Sequence, residues 1–182
     1  MKKLNFIIKC GLALLLLSFY SCESWLNVTP SDRLSEEMLF NDREGFVKAL
    51  NGVYIELNTN ELYGRNLTAG ALDVMGQYYS VASSSHAFYN YGGLVYTGND
   101  EKALFDNMWQ KCYAVIACCN TIIEKCDERQ DVLPGVYYGL YKGEALALRA
   151  MLHLDMLRLF GPVYDETSKT AECIPYVTNT DA

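Results

Sequence analysis

Residues 100–128 read DEKALFDNMWQKCYAVIACCNTIIEKCDE. Twenty-nine residues pass without proline or glycine, and acids open the run, which favours a helix N-terminus. Cys112, Cys119 and Cys126 recur every seven residues, with Ile116 and Ile123 four places after the first two. That spacing sets all five on one helical face. Seven helical residues rise about 10.5 Å, so these cysteines can neither share a metal ion nor pair with one another. They read as small hydrophobes of a core. Cys118 and Cys173 lie off the stripe and stay open as possible partners. An odd count of five cysteines beyond Cys22 excludes a complete disulfide framework within the chain.

Downstream of this helix, Leu133-Pro134-Gly135 breaks the chain, and a second long helix is predicted over 136–160. Its apolar residues surround nearly the whole circumference, so it is expected to lie buried between neighbours. Lys142, Arg149, His153 and Met156 form its most polar strip, and Gly161-Pro162 ends it. Upstream, Ser35 caps a predicted short helix over 36–40. Asn41-Asp42-Arg43-Glu44 has capping-box form, with Asn41 as the cap. The helix it opens carries Phe46, Val47, Leu50, Val53, Tyr54 and Leu57 on one face and ends near Asn58. A weaker helix is predicted over 62–79, interrupted by Asn66, Gly70 and Gly76.

Residues 80–98 fit no period. They hold Ser83-Ser84-Ser85, Gly92-Gly93 and the rings of His86, Phe88, Tyr89, Tyr91 and Tyr96. A loop this long inside a compact domain is commonly functional or disordered. The predicted fold is therefore mostly α: antiparallel helix pairs in a tetratricopeptide-like α-solenoid, with long loops. Residues 163–182 include an extended piece, Glu172 to Val177, with no partner legible in the sequence.

The N-terminus has its own grammar. Lys2, Lys3 and Lys9 precede an apolar core, Leu12 to Leu17, and Ser18-Phe19-Tyr20-Ser21 leads to Cys22. This describes a signal peptide over 1–21. A cysteine directly after the small residue resembles the lipobox of bacterial lipoproteins, which makes Cys22 the lipidation site and 22–34 a lipidated tether. Acyl chains hold by about 0.8 kcal/mol per buried methylene, so a multiply acylated cysteine anchors firmly to a membrane. Removing 1–21 takes three lysines and no acid, moving the formal charge from −7 to −10. That sign argues against nucleic acid and against electrostatic adhesion to anionic lipid. The 161 remaining residues suffice for one domain, assigned to 35–182.

Three stretches together resemble the N-terminal part of the SusD/RagB family of outer-membrane nutrient-binding lipoproteins. They are Ser21 to Pro30 (SCESWLNVTP), the run Trp109, Tyr113, Ile116 and Asn120, and the segment from Gly143 through Arg149, His153, Asp155 and Arg158 to Val163. The resemblance implies tetratricopeptide-like helix pairs and a SusC-like TonB-dependent transporter as partner. It implies capture of a glycan or peptide nutrient and its delivery to that channel, without catalysis, at an outward-facing lipid anchor in the outer membrane. Family members are much longer, so the chain reads as an incomplete, N-terminal portion of such a protein.

A glycan surface needs flat rings and a few fixed polar groups. Asp73, Tyr78, Tyr89 and Tyr91 are the candidate ligand-binding residues, with Gln77 and Asn90 close by in sequence. The same tyrosines could instead pack the helices or touch the transporter. Trp109, Tyr113, Asn120, Arg149, Asp155 and Arg158 read as structural. Only His86 and His153 are present, which excludes a histidine-rich metal site, and no cofactor is expected. Neither a phosphate-cradling glycine loop nor a G-x-S-x-G elbow occurs, and nothing singles out two acids as a glycosidase pair. The alternative function is a helical-repeat interaction scaffold without a small-molecule ligand.

Overall fold

The long cysteine-striped segment forms the central helix of the molecule. The structure, a computed structural model, describes residues 36–180. The signal peptide, Cys22, the tether and the Ser35 cap lie outside the described residues. The helices are α1 (Glu36–Leu39), α2 (Arg43–Leu57), α3 (Ala71–Met75), α4 (Tyr89–Gly92), α5 (Asn99–Glu128) and α6 (Tyr137–Phe160), with a 3-10 turn at Gln130–Val132. No strand forms among the described residues, so the mostly helical expectation holds.

Cross-helix contacts define the register. Asp127 meets Tyr138 and Lys142, Asn120 meets Arg149, and Trp109 meets Phe160, so α5 and α6 run antiparallel. Arg129 reaches Asn41, and Lys111 pairs with Glu56, so α2 is also antiparallel to α5. Phe46 stacks near Tyr141, and Tyr54 bonds Glu144, which sets α2 parallel to α6. Three long helices thus surround one core, too few to display a repeating solenoid stack, which needs about three or more repeats.

That core takes Phe46, Leu50 and Val53 from α2, the cysteine stripe with Met108 and Ile116 from α5, and Ala145, Leu152 and Met156 from α6. Cys112, Cys119 and Cys126 are buried free thiols, as the seven-residue spacing implied. Burial pushes Cys112 and Cys119 up to about 12, and Cys126 to about 11. Cys118 and Cys173 are exposed and unpaired by disulfide.

Several local expectations shift. The α2 cap is Asp42, not Asn41. Asp42 has the extended backbone a cap needs, and its carboxylate accepts from the Gly45 N–H at 2.9 Å. Asn41 instead accepts from Arg129. The predicted 62–79 helix shrinks to Ala71–Met75. Before it the chain runs in successive turns, closed by bonds such as Tyr63 N–H to Leu57 O and Asn66 N–H to Asn60 O. Gly70 and Gly76 bound the short helix, as weak helix formers do. Finally, α6 is not buried all round. Among the described residues α2, α5, Tyr63 and residues 176–178 cover part of it, and Leu140, Leu146, Met151, Leu154 and Leu157 remain exposed.

Candidate functional site

Between α3 and α5 the aperiodic stretch folds back on itself and leaves a groove. α3 ends at Gly76, and Gln77 follows with φ of 60°. Leu94, on the other side, has φ of 53°. Both positive-φ non-glycine residues among the described ones therefore flank the groove, and such strain persists only where the surroundings enforce it. The enforcing contact is visible. Gln77 Nε2 donates to Gly92 O at 2.8 Å, tying the end of α3 to the end of α4. The Tyr79 hydroxyl donates to Ala69 O at 2.6 Å and pins the next turn.

The groove so formed has a volume of 380 Å³. Gln77, Tyr79, Ser80, Tyr89, Asn90 and the Gly92-Gly93 backbone line it. A second hollow of 400 Å³ shares Tyr79, Ser80 and Val81 with it and extends past Ser83 to His86 and Phe88. The two hollows share that turn, and aromatic rings, hydroxyls and amides line them. Asn90 is fixed from below: its Nδ2 donates to Glu101 Oε1 at 2.7 Å. That bond holds the Glu101 carboxyl below the usual carboxylate range. Gly98 makes the arrangement possible, since a Cβ there would lie 1.9 Å from Glu101 Oε2. The Asn90 side-chain amide is thereby held in place within the groove lining that it shares with Tyr89.

The four candidate ligand residues fare differently. Tyr89 lines the groove and is 42 % exposed. Tyr78 is 83 % exposed but lies off the lining, and half-buried Asp73 sits on α3 outside it. Tyr91 is 2 % exposed. Its ring packs on Phe88, Tyr96 and Phe105, and burial raises its hydroxyl to about 12. It supports the groove from beneath. Tyr79, Ser80 and Val81 are lining residues that sequence reasoning missed. Their signal was contiguity with Tyr78, since neighbouring residues in irregular backbone point in different directions.

The residues read as structural meet at a separate place. Rings run from Phe105 through Phe160 and Trp109 to Tyr113, His153 and Tyr176. Across this ladder lies an extended strap, residues 175–180. Tyr113 donates to Pro175 O at 2.9 Å, and Asn120 Nδ2 donates to Val177 O and Asn179 O. Arg149 bonds both Asn120 Oδ1 and Thr178 O. His153 Nδ1 faces Arg149 O at 2.9 Å, so that nitrogen carries the proton, and Nε2 accepts from the Val177 N–H. Glu124 accepts from the N–H and hydroxyl of Thr180. Asp155 and Arg158 sit elsewhere, where Asp155 accepts from Tyr63 at 2.5 Å and pairs with Arg158. The extended piece without a legible partner thus has one. No helix among the described residues is long and apolar enough to cross a membrane.

Comparison with known proteins agrees with this architecture. Residues 24–182 match the SusD-like family model described as "Starch-binding associating with outer membrane". The chain is similar to SusD-like protein P2 of Formosa agariphila, at 25 % identity over 161 residues, covering 88 % of this chain. It spans 30 % of that curated relative's length. No solved structure matches the chain. With a family match across nearly all of its length, the chain belongs to the SusD-like family, a family described as starch-binding and associated with the outer membrane.

Proposed function

We propose that the chain is a lipid-anchored, outward-facing outer-membrane protein that binds a glycan and hands it to a SusC-like TonB-dependent transporter, without catalysis. The observation that carries this reading is the groove between Tyr89, Asn90 and the Tyr79-Ser80 turn. An exposed tyrosine ring offers a face to the apolar side of a sugar, and a clamped amide beside it can serve a hydroxyl. A second hollow on the same turn, reaching Ser83, His86 and Phe88, offers further ring and hydroxyl contacts to an extended chain of sugars.

Tyr89 and Tyr91 separate binding from packing. Tyr89→Ala is expected to weaken binding of a starch-derived oligosaccharide about tenfold, the equivalent of about 1.4 kcal/mol, with the melting temperature unchanged. Tyr91→Ala is expected to lower the melting temperature, because truncating a buried aromatic costs about 3–5 kcal/mol. Isothermal titration and thermal denaturation of both variants check this. A folded Tyr89→Ala protein that binds as tightly as the parent would remove the groove from the proposal.

The anchor rests on Cys22. Cys22→Ser is expected to abolish incorporation of labelled palmitate and release the protein from the membrane fraction. Retention of the label in that variant would place the lipid elsewhere.

A further inference from the structure

The last turns of α6 border a hollow separate from the groove. Asp155, Arg158 and Leu159 stand three and four residues apart, so they share one face of the helix. Leu72, in the first turn of α3, and Leu67, in the turns before it, complete the lining. Those turns are fixed by backbone bonds, with the Leu67 N–H on Leu62 O at 2.9 Å and the Leu72 N–H on Asn66 O at 3.2 Å. The enclosed volume is 300 Å³, at the small end of the roughly 300–1,000 Å³ of ligand sites. None of these residues lines the groove at Tyr89.

The lining divides into two kinds. Leu67, Leu72 and Leu159 give aliphatic walls, without a ring face or a hydrogen-bonding side chain. Asp155 and Arg158 give one carboxylate and one guanidinium. Asp155 is half-buried, and the Tyr63 hydroxyl donates to its Oδ2 at 2.5 Å. Its Oδ1 meets Arg158 Nη1 at 3.4 Å, beyond the roughly 2.7–2.9 Å of a good charge-assisted bond. The Arg158 side chain is 74 % exposed. A guanidinium carries five N–H donors, so one long contact draws on little of its capacity.

We propose that this hollow binds a free aliphatic α-amino acid as its zwitterion. A plain anion drawn to Arg158 would face the Asp155 carboxylate, and a plain cation drawn to Asp155 would face the guanidinium. Either one leaves a member of the pair repelled and unmatched. A molecule with both charges on one carbon satisfies both, its ammonium on Asp155 Oδ1 and its carboxylate on the Arg158 fork. Its side chain then buries against the three leucines. A sugar carries neither charge and seeks ring faces, which the Tyr89 groove supplies and this hollow lacks. Glycan binding in the groove is independent of this site.

The probe is L-leucine, titrated into the full chain and followed by saturation-transfer NMR on its methyl protons. Saturable binding is expected with a Kd on the order of 1 mM. N-acetyl-L-leucine lacks the ammonium and L-leucinamide lacks the carboxylate, so each should bind about tenfold more weakly or worse. L-leucine should lose affinity by the same factor on Arg158→Gln, a change at an exposed side chain that should leave the fold intact. Excess starch-derived oligosaccharide should not displace the amino acid. A folded chain that gives no saturable signal at about tenfold that concentration overturns the proposal. So does equal binding of the three ligands, or undiminished binding to a folded Arg158→Gln protein. Displacement by the oligosaccharide would put the leucine in the groove and overturns it too. The ligand series needs no variant, so it decides the matter even where Arg158→Gln fails to fold.

Discussion

Replacing Asn120 by alanine is expected to free the strap at 175–180 and lower stability by about 3 kcal/mol. Asn120 is fully buried. Its amide donates to two strap carbonyls, and its oxygen accepts from the Arg149 guanidinium at 2.8 Å. Neutral hydrogen bonds contribute about 1 kcal/mol each, and one to a charged group about 1.5–3. Allowing for the long 3.4 Å contact to Val177 gives the figure above. For a domain of this size the melting temperature should fall by about 6–12 °C. The strap amides should lose hydrogen-exchange protection before the helices do. Asn120→Asp sharpens the result. The carboxylate keeps its Arg149 partner but turns an acceptor toward the Val177 and Asn179 carbonyls, so the strap should loosen there too. Unchanged exchange at 175–180 in both variants would show that the rings of His153 and Tyr176, not the amide, hold the strap.

Asn120 also marks where the sequence was legible and where it was not. The periodicities over about 42–58, 100–128 and 136–160 produced three helices with ends within a residue or two of those observed, because each buries a face whose period is local. The cysteine stripe was readable for the same reason, since rise per residue alone separates Cys112 from Cys119. Partners far apart in sequence were not readable. Tyr113, Asn120, Arg149 and His153 look like ordinary helix residues until the strap lies across them. The α6 circumference was misjudged because an apolar surface states that something should cover it, not whether anything in this chain does. In the groove, Tyr89 was found and Tyr91 misplaced, although both are aromatic and two residues apart. The difference is the direction each ring takes from α4, which spans only Tyr89–Gly92 and has no periodicity to read.

Raising the pH past about 10 is expected to unfold the chain, because three buried thiols resist ionisation. Cys112, Cys119 and Cys126 sit at about 12, 12 and 11 in the folded chain, because burial penalises the thiolate. The ordinary value for a thiol, which the unfolded chain restores, is 9.0. Above pH 9 the unfolded chain therefore loses protons that the folded chain keeps, and folding weakens as pH rises. The contribution is fully present below about pH 9 and is lost between 9 and 12. At pH 10.5 each thiol has cost about 2 kcal/mol, on the order of 6 kcal/mol together. That matches the whole stability of many domains, about 5–15 kcal/mol. The Cys112 thiol also donates weakly to Leu152 O at 3.9 Å, a contact its thiolate cannot make. Tyr91, raised to about 12 by burial, adds to the loss above pH 10. Circular dichroism against pH should show cooperative unfolding between about pH 10 and 11. The variant carrying Cys112→Ala, Cys119→Ala and Cys126→Ala should unfold about one pH unit higher, although it is less stable at neutral pH through lost packing. A midpoint that stays put in the triple variant would assign alkaline lability to the tyrosines instead.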